Sequence, residues 1–301
     1  MPEALNYRSV VLIKQVPDTR NLTGEVMTAE GTMNRSALPA IFNPEDMNAL
    51  EMALNLKDLY GGRVTVLSMG PMQAAEVLRE ALYRGADRVV LLSDRKFAGA
   101  DTQATSYTLK CAIDKLDEYD LVFCGRQAID GDTAQVGPQL AEKLGIPQIT
   151  YAESIVDAQA DEIVVRRAFE LGTELVSCRL PALLTVVGTA NRPRPASARK
   201  RIEYKMAATH SEYPKLLSQW PEFGNEQGLA EYLEKNKLNI EVWTADDIDI
   251  DAASLGLAGS PTQVYKVNYV VLETTDSKEI QPTAEGIQAL IAELIHEYIV
   301  G

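Results

Sequence analysis

LVFCGRQAIDGDTAQVGPQLAEKLG, residues 121–145, runs from four apolar residues through a polar loop punctuated by glycine into a helical pattern. A buried strand feeding a helix at its carboxyl end is the repeating unit of doubly wound parallel sheets, and that edge is where such sheets take ligands. Asp132 followed by Gln135 matches a capping box, which predicts a helix from Thr133. The amides of Thr133, Ala134 and Gln135 would then point at an anion, with Gly131 and Gly137 allowing close backbone approach. An ordinary capped helix fits the same pattern. Asp130 and Asp132 would repel a phosphate if they faced it, so capping, ribose hydroxyls or fixing of the loop are the roles open to them.

The alternation continues outward. Val10 to Val16, Arg63 to Met69, Arg88 to Leu92, Leu121 to Cys124 and Ile146 to Tyr151 read as strands buried on both faces. Asn43 precedes Pro44, Glu45 and Asp46 at the start of a helix carrying Met47, Leu50, Leu54 and Leu59 and ending at Gly61. A second helix uses Ala74, Leu78, Ala81 and Leu82 and stops at Gly85; a third starts near Asp101 or Thr102 and carries Thr105, Leu109, Ala112, Ile113 and Leu116. The order predicts an α/β fold with a doubly wound, mostly parallel sheet and right-handed crossovers. Glu162 to Phe169 and Thr173 to Arg179 then flank a turn as a β-hairpin, and Leu180 to Val187 adds one more buried strand.

Residues 1–190 thus read as one α/β domain. Residues 191–204, beginning NRPRPASARKR, read as a basic, proline-rich exposed loop. Residues 205–301 form a C-terminal extension, with strand-like runs around Ile240 to Thr244 and Val264 to Leu272 and a last helix carrying Ile287, Leu290, Ile291, Leu294 and Ile295. Broken by Gly and Pro, that tail reads as an arm lying on something else rather than a second compact domain.

A net charge of −14 and a pI near 4.7 argue against binding to nucleic acid or to an anionic membrane surface, although backbone amides can still hold a small anionic cofactor. No apolar stretch reaches the length of a membrane span, and Glu3, Asn6, Tyr7 and Arg8 do not resemble a secretory leader. Cys111, Cys124 and Cys178 lack paired spacing, which fits core positions and a reducing cytoplasm. With only His210 and His296 and no GxSxG, HExxH or Walker A run, hydrolase chemistry has no constellation. No metal site is expected.

Other strand ends complete the candidate site. Ser68-Met69-Gly70-Pro71 ends a strand in a glycine turn that lets a planar ring approach backbone. Lys14, at the end of the first strand, reads either as a solvated lysine or as a phosphate contact. Asn43, with its proline and two acids, is already accounted for as a helix start, and Asp101-Thr102 begins another helix on the same sheet edge.

VLIKQVPDT (11–19), IFNPEDMNALEMAL (41–54), VTVLSMGP (64–71), ALYRGADRVVLL (81–92), GRQAIDGDTAQVGP (125–138), LPALLTVV (180–187) and LGLAGSPTQV (255–264) resemble, in that order, the β subunit of electron transfer flavoproteins. The resemblance implies an adenine-nucleotide-binding α/β sandwich whose contacts fall on Leu12, Asn43 to Asp46, Met69 and Leu121 to Val136, the last stretch including Gly125, Arg126 and Gln127. It also implies a heterodimer with an α subunit that holds a redox-active FAD, the C-terminal arm packing on that partner. In the one-electron members the β-subunit nucleotide is AMP; in the electron-bifurcating members it is a second FAD that meets NADH. The wording GDTAQVGP, and ADTQAT at 100–105, are similar to the second group, which implies FAD as cofactor and NAD(H) as electron donor. Two departures stand out. The loop after Asn191 lacks the longer segment by which one-electron members dock acyl-CoA dehydrogenases, leaving the redox partner open between a dehydrogenase and a quinone- or ferredoxin-linked protein. Tyr204 to Leu238 looks like an insertion.

Two other classes compete. A non-redox module that senses an adenine nucleotide fits the same sheet. An ATP-consuming ligase on this fold would need a Ser-Gly-Gly loop after the first strand, where Gln15-Val16-Pro17-Asp18 stands.

Overall fold

The computed structural model describes residues 5–18, 39–116, 118–262 and 278–297. Two units divide the chain, Met1–Tyr265 and Lys266–Gly301. In the first, the chain runs β1 (Tyr7–Ile13), β2 (Gln15–Pro17), β3 (Ala40–Phe42), α1 (Pro44–Tyr60), β4 (Gly62–Met69), α2 (Ala75–Arg84), β5 (Arg88–Leu92), α3 (Thr102–Asp114), β6 (Leu121–Gly125) and α4 (Val136–Leu144). It continues through β7 (Gln148–Ala158), β8 (Glu162–Phe169), β9 (Gly172–Arg179), β10 (Ala182–Val186), α5 (Ala198–Glu203), α6 (Tyr213–Gln219), α7 (Glu226–Lys235) and β11 (Glu241–Trp243).

One nine-stranded sheet in the order β11-β5-β4-β1-β6-β10-β7-β8-β9 organises this unit; all neighbours up to β7 are parallel, and β7, β8 and β9 are antiparallel. The expected α/β class and hairpin are both present. Because successive side chains alternate between faces, the central strands feed two cores. Val11, Val66 and Phe123 pack with Leu50 and Leu54 of α1 and Leu78 of α2, while Leu12, Leu67 and Val122 pack with Leu109 and Ile113 of α3 and Leu140 of α4. All three cysteines are free and buried. From β1 the winding goes through β4 to β5 on one side and resumes at β6 on the other, so the reversal falls between the paired strands β1 and β6. Ligands of open α/β sheets bind at the carboxyl ends of the strands at such a reversal.

Several boundaries differ from the sequence reading. The run Val10 to Val16 is broken at Lys14: β1 ends at Ile13, and Gln15–Pro17 pairs instead with Ala40–Phe42 in a separate antiparallel ribbon. β7 starts at Gln148 and runs well beyond Tyr151, because its first half pairs with β10 and its second half with β8. Within the basic segment, Ser197 caps the short helix α5, and Arg194 is held by Glu51 at 2.9 Å and Asp58 at 2.8 Å. Beyond it, Leu229, Leu233 and Leu238 gather with Ala208 and Tyr213 into a small core of their own, and β11 joins the main sheet beside β5. The strand-like run at Val264 to Leu272 lies outside the described residues.

In the second unit, α8 (Ala284–His296) is capped by Thr283, whose side chain accepts from the Gly286 amide. Ile287, Ile291 and Ile295 form a stripe at helical spacing, each about half exposed. No helix among the described residues is long and apolar enough to cross a membrane.

Candidate functional site

Asp46, in the first turn of α1, is buried between the carboxyl ends of β1 and β6 and binds both. Its Oδ2 accepts the Lys14 amide at 2.8 Å and its Oδ1 accepts the Gly125 amide at 3.0 Å. Burial pushes this carboxyl up to about 7, against the pull of Asn43 and of the Gly125 and Lys14 amides toward its ionised form. Gly125 has no alternative here: a Cβ on it would stand 2.5 Å from Asp46 Oδ1 and 2.7 Å from the Glu45 carbonyl carbon.

The loop after β6 hangs from the same helix start. Asn43, fully buried, donates from Nδ2 to the Gln127 carbonyl at 2.9 Å and accepts the Ile129 amide on Oδ1 at 3.1 Å. It makes no side-chain cap on α1, so the Asn-Pro helix start does not exhaust its role. Glu45 accepts the Gln127 amide at 3.0 Å and pairs with Arg126 at 3.0 Å. Arg126 lies 5.7 Å over the Tyr151 ring, and its charge is already engaged by Glu45. Lys14 pairs with Asp130 at 2.8 Å, closing the loop back onto the end of β1.

The expected helix start at Thr133 and the Asp132 cap are corrected by the structure. Asp132 and Ala134 have φ of +49° and +53°, a left-handed pair that no helix contains, and α4 begins only at Val136. Asp132 fixes the loop instead, accepting Gln127 Nε2 at 2.8 Å. Among the described residues the amides of Thr133, Ala134 and Gln135 meet no acceptor. Those of Val136 and Gly137, in the first turn of α4, have none within the helix. Among the described residues, five successive amides at the loop's end thus meet no acceptor, those of Thr133 to Val136 at exposed or half-exposed positions and that of Gly137 at a buried one. Gly137 is needed for a different reason: its Cβ would strike Thr185 Cγ2 at 2.7 Å and Cys124 Sγ at 2.9 Å, so glycine lets α4 lie against β10 and β6.

A second cluster joins α3 to this loop. Asp101 caps α3 as expected, accepting the Ala104 amide at 3.0 Å. Thr102 Oγ1 donates to Gln135 Oε1 at 2.9 Å and accepts from Gln139 Nε2 at 3.2 Å. Thr105 sits one turn on, its amide donating to the Asp101 carbonyl. Leu12 and Met69 belong to the α3/α4 face of β1 and β4, and Gly70 turns the chain with its amide on the Leu92 carbonyl. No hydrogen bond ties Met69 or Gly70 to the loop among the described residues. Nor is any group of three metal-ligating side chains found there.

The arrangement is a loop tied at several points to β1 and α1, its acidic side chains ion-paired or hydrogen-bonded, with a run of amides that meet no acceptor among the described residues. It can hold an anion and orient what is attached to it. Tyr151, beneath Arg126 with φ +58°, was not legible as a site residue, because its partner lies 25 positions away; Glu45 falls within the stretch that the resemblance implies, but its role as an anchor of the loop was not legible, its partners lying about 80 positions away.

Residues 30–210 match the model of the electron transfer flavoprotein domain. The chain is 44% identical to an electron transfer flavoprotein subunit beta of Clostridium acetobutylicum, over 97% of this chain and 99% of that one. It is 43% identical to the caffeyl-CoA reductase-Etf complex subunit CarD of Acetobacterium woodii, over 86% of each, and 39% identical to the acryloyl-CoA reductase electron transfer subunit gamma of Anaerotignum propionicum, over 93% of this chain and 97% of that one. With its sheet, its loop and these relatives in agreement, the chain belongs to the electron transfer flavoprotein family, among the β subunits.

Proposed function

We propose that this protein binds FAD at the carboxyl edge of β1, β4 and β6 and, paired with an α subunit carrying a second FAD, accepts hydride from NADH for flavin-based electron bifurcation. The observation that carries the binding is the run of open amides from Thr133 to Gly137, held at the winding reversal by a loop whose own carboxylates are neutralised or hydrogen-bonded. Asp130 and Glu45 face cations of this chain rather than a ligand, which removes the repulsion that two acids beside a phosphate would cause. A dinucleotide has a pyrophosphate to hold, and the α3 start at Thr102 is hydrogen-bonded to the side chain of Gln135, in the middle of the amide run. A flavin there supplies two-electron hydride acceptance and one-electron release. The chain's residues bind and orient it: Asn43, Glu45 and Asp46 fix the loop, and Leu12, Met69 and Gly70 line the neighbouring strand ends.

The choice of FAD over AMP rests on the wording GDTAQVGP and ADTQAT, and relatives named for reductase complexes favour a redox role over nucleotide sensing. The half-exposed stripe Ile287, Ile291 and Ile295 supports residues 205–301 as the extension whose final arm packs on the α subunit; deleting 282–301 weakens subunit association, read by size-exclusion and titration of the co-expressed pair. The redox partner is a dehydrogenase or a quinone- or ferredoxin-linked protein.

Cofactor extraction and a spectrum of the purified pair test the reading: two FAD per αβ pair and bleaching by NADH with no other protein added. One FAD and one AMP per pair, silent to NADH, returns the protein to one-electron shuttling. No flavin at all leaves the sensing module.

A further inference from the structure

Asp101 has more work than capping a helix. Its Oδ1 accepts the Ala104 amide, but its Oδ2 accepts the Thr262 amide at 3.0 Å and the Thr262 hydroxyl at 2.7 Å, and its own amide donates to Ser260 Oγ at 2.8 Å. Burial would raise this carboxyl; the donors at Ala104 and Thr262 outweigh it and hold it below its ordinary value. The segment that supplies Ser260 and Thr262 is itself pressed against the loop before α3. Leu257 donates its amide to the Ala98 carbonyl, and Ser260 Oγ donates to the Gly256 carbonyl at 2.6 Å. A Cβ on Gly256, which has φ +51°, would stand 2.3 Å from the Lys96 carbonyl oxygen. Residues 256–262 are therefore fastened at the sheet's carboxyl edge by backbone fit and by one carboxylate. The next residue after Asp101 is Thr102, whose hydroxyl binds the side chain of Gln135, in the middle of the amide run. The matched family domain ends at residue 210, so nothing in that match assigns a role to this segment.

We infer that Ser260 and Thr262 are positioning residues for the nucleotide site: they fix Asp101, Asp101 fixes the first turn of α3, and Thr102 in that turn fixes Gln135 and the amides beside it. The inference rests on the reading of residues 133–137 as the nucleotide cradle. It makes residues 256–262 part of the site's frame, although none of them is offered as a ligand contact.

The test uses the co-expressed αβ pair with Thr262→Val, which removes the hydroxyl and keeps the amide, and Thr262→Ser, which keeps both. FAD and AMP serve as probes. Thr262→Val raises the dissociation constant of the bound nucleotide by about five- to tenfold, the scale of one weakened charge-assisted hydrogen bond, and Thr262→Ser restores it to within about twofold. Equal affinity in wild type and Thr262→Val, or equal loss in both variants, overturns the inference. Hydrogen exchange on the nucleotide-free pair gives a readout that does not depend on the ligand: Thr262→Val speeds exchange at the hydrogen-bonded amides of Ala104 and Thr105 and of Asp132 and Gln139, while α2, on the other face, is unchanged. If wild type binds neither probe, the nucleotide reading fails, and the exchange data still decide whether Thr262 orders the loop. Unchanged exchange there refutes the positioning role.

Discussion

Two helix starts meet the loop after β6 and use it in opposite ways. α1 turns three polar side chains toward it: Asn43, Glu45 and Asp46 accept or donate five hydrogen bonds with backbone groups between Lys14 and Ile129. α4 has no side-chain cap, and the amides leading into it stay open. The acidic start is thus the scaffold, its charge consumed by the protein, and the uncapped start is where an anion finds donors. A helix N-terminus is an anion site only when the chain has not already satisfied its amides, and here the pair occurs within one crevice.

The largest way to probe the scaffold side is pH. Asp46 moves from 3.8 in the unfolded chain to about 7 in the folded one. Between those values the folded state keeps a proton that the unfolded chain has released, so unfolding free energy falls as pH rises from about 4 to about 7. The loss is on the order of 4 kcal/mol, and it is absent from Asp46→Asn. Thermal melts of both αβ pairs from pH 4.5 to 8 measure it. Wild type gaining on Asp46→Asn across that range would mean that the two amide hydrogen bonds dominate burial.

Next in size is a pair of glycines six residues apart, Gly125 at the end of β6 and Gly131 in the loop that follows. Gly125→Ala drives a methyl into Asp46 and Glu45 and costs about 3 kcal/mol. Gly131→Ala meets nothing within 4 Å and stays within about 0.5 kcal/mol of wild type. Similar melting points for the two variants would erase the distinction between held and open parts of the loop.

The sheet was legible because each unit carries its own signals. Arg88 to Leu92 and Glu162 to Phe169 form strands at the predicted residues, and Pro44 and Asp101 start helices where expected. The loop itself was only half legible. Asp132 and Gln135 satisfy a capping pattern over four residues, but whether the backbone there turns left-handed depends on Asn43 and Glu45, which pin Gln127 and Ile129 from more than eighty positions away. Local pattern reports local preference, and a loop suspended from another helix is decided elsewhere. The same holds for Arg194, in a segment read as an exposed loop, whose guanidinium lies on Glu51 and Asp58 of α1. Lys14 stood between two readings, and its partner Asp130 is one that no spacing rule connects to it.

The smallest expected effect separates strain from function on the open side. Ala134 has φ +53°, a conformation that costs an alanine about 1 kcal/mol and a glycine almost nothing. Ala134→Gly relieves that cost but also frees the unfolded chain, so the net gain is about 0.5 kcal/mol, a slight rise in the melting point of the nucleotide-free pair. If the left-handed pair Asp132 and Ala134 serves to aim the amides of 133–137, the glycine loosens the aim, and nucleotide affinity falls by about twofold while stability rises. The two changes run in opposite directions, which a simple repair of strain does not produce. A stability gain with unchanged affinity would assign the strain to loop closure alone, and the open amides would owe their orientation to α4 and Thr102 instead.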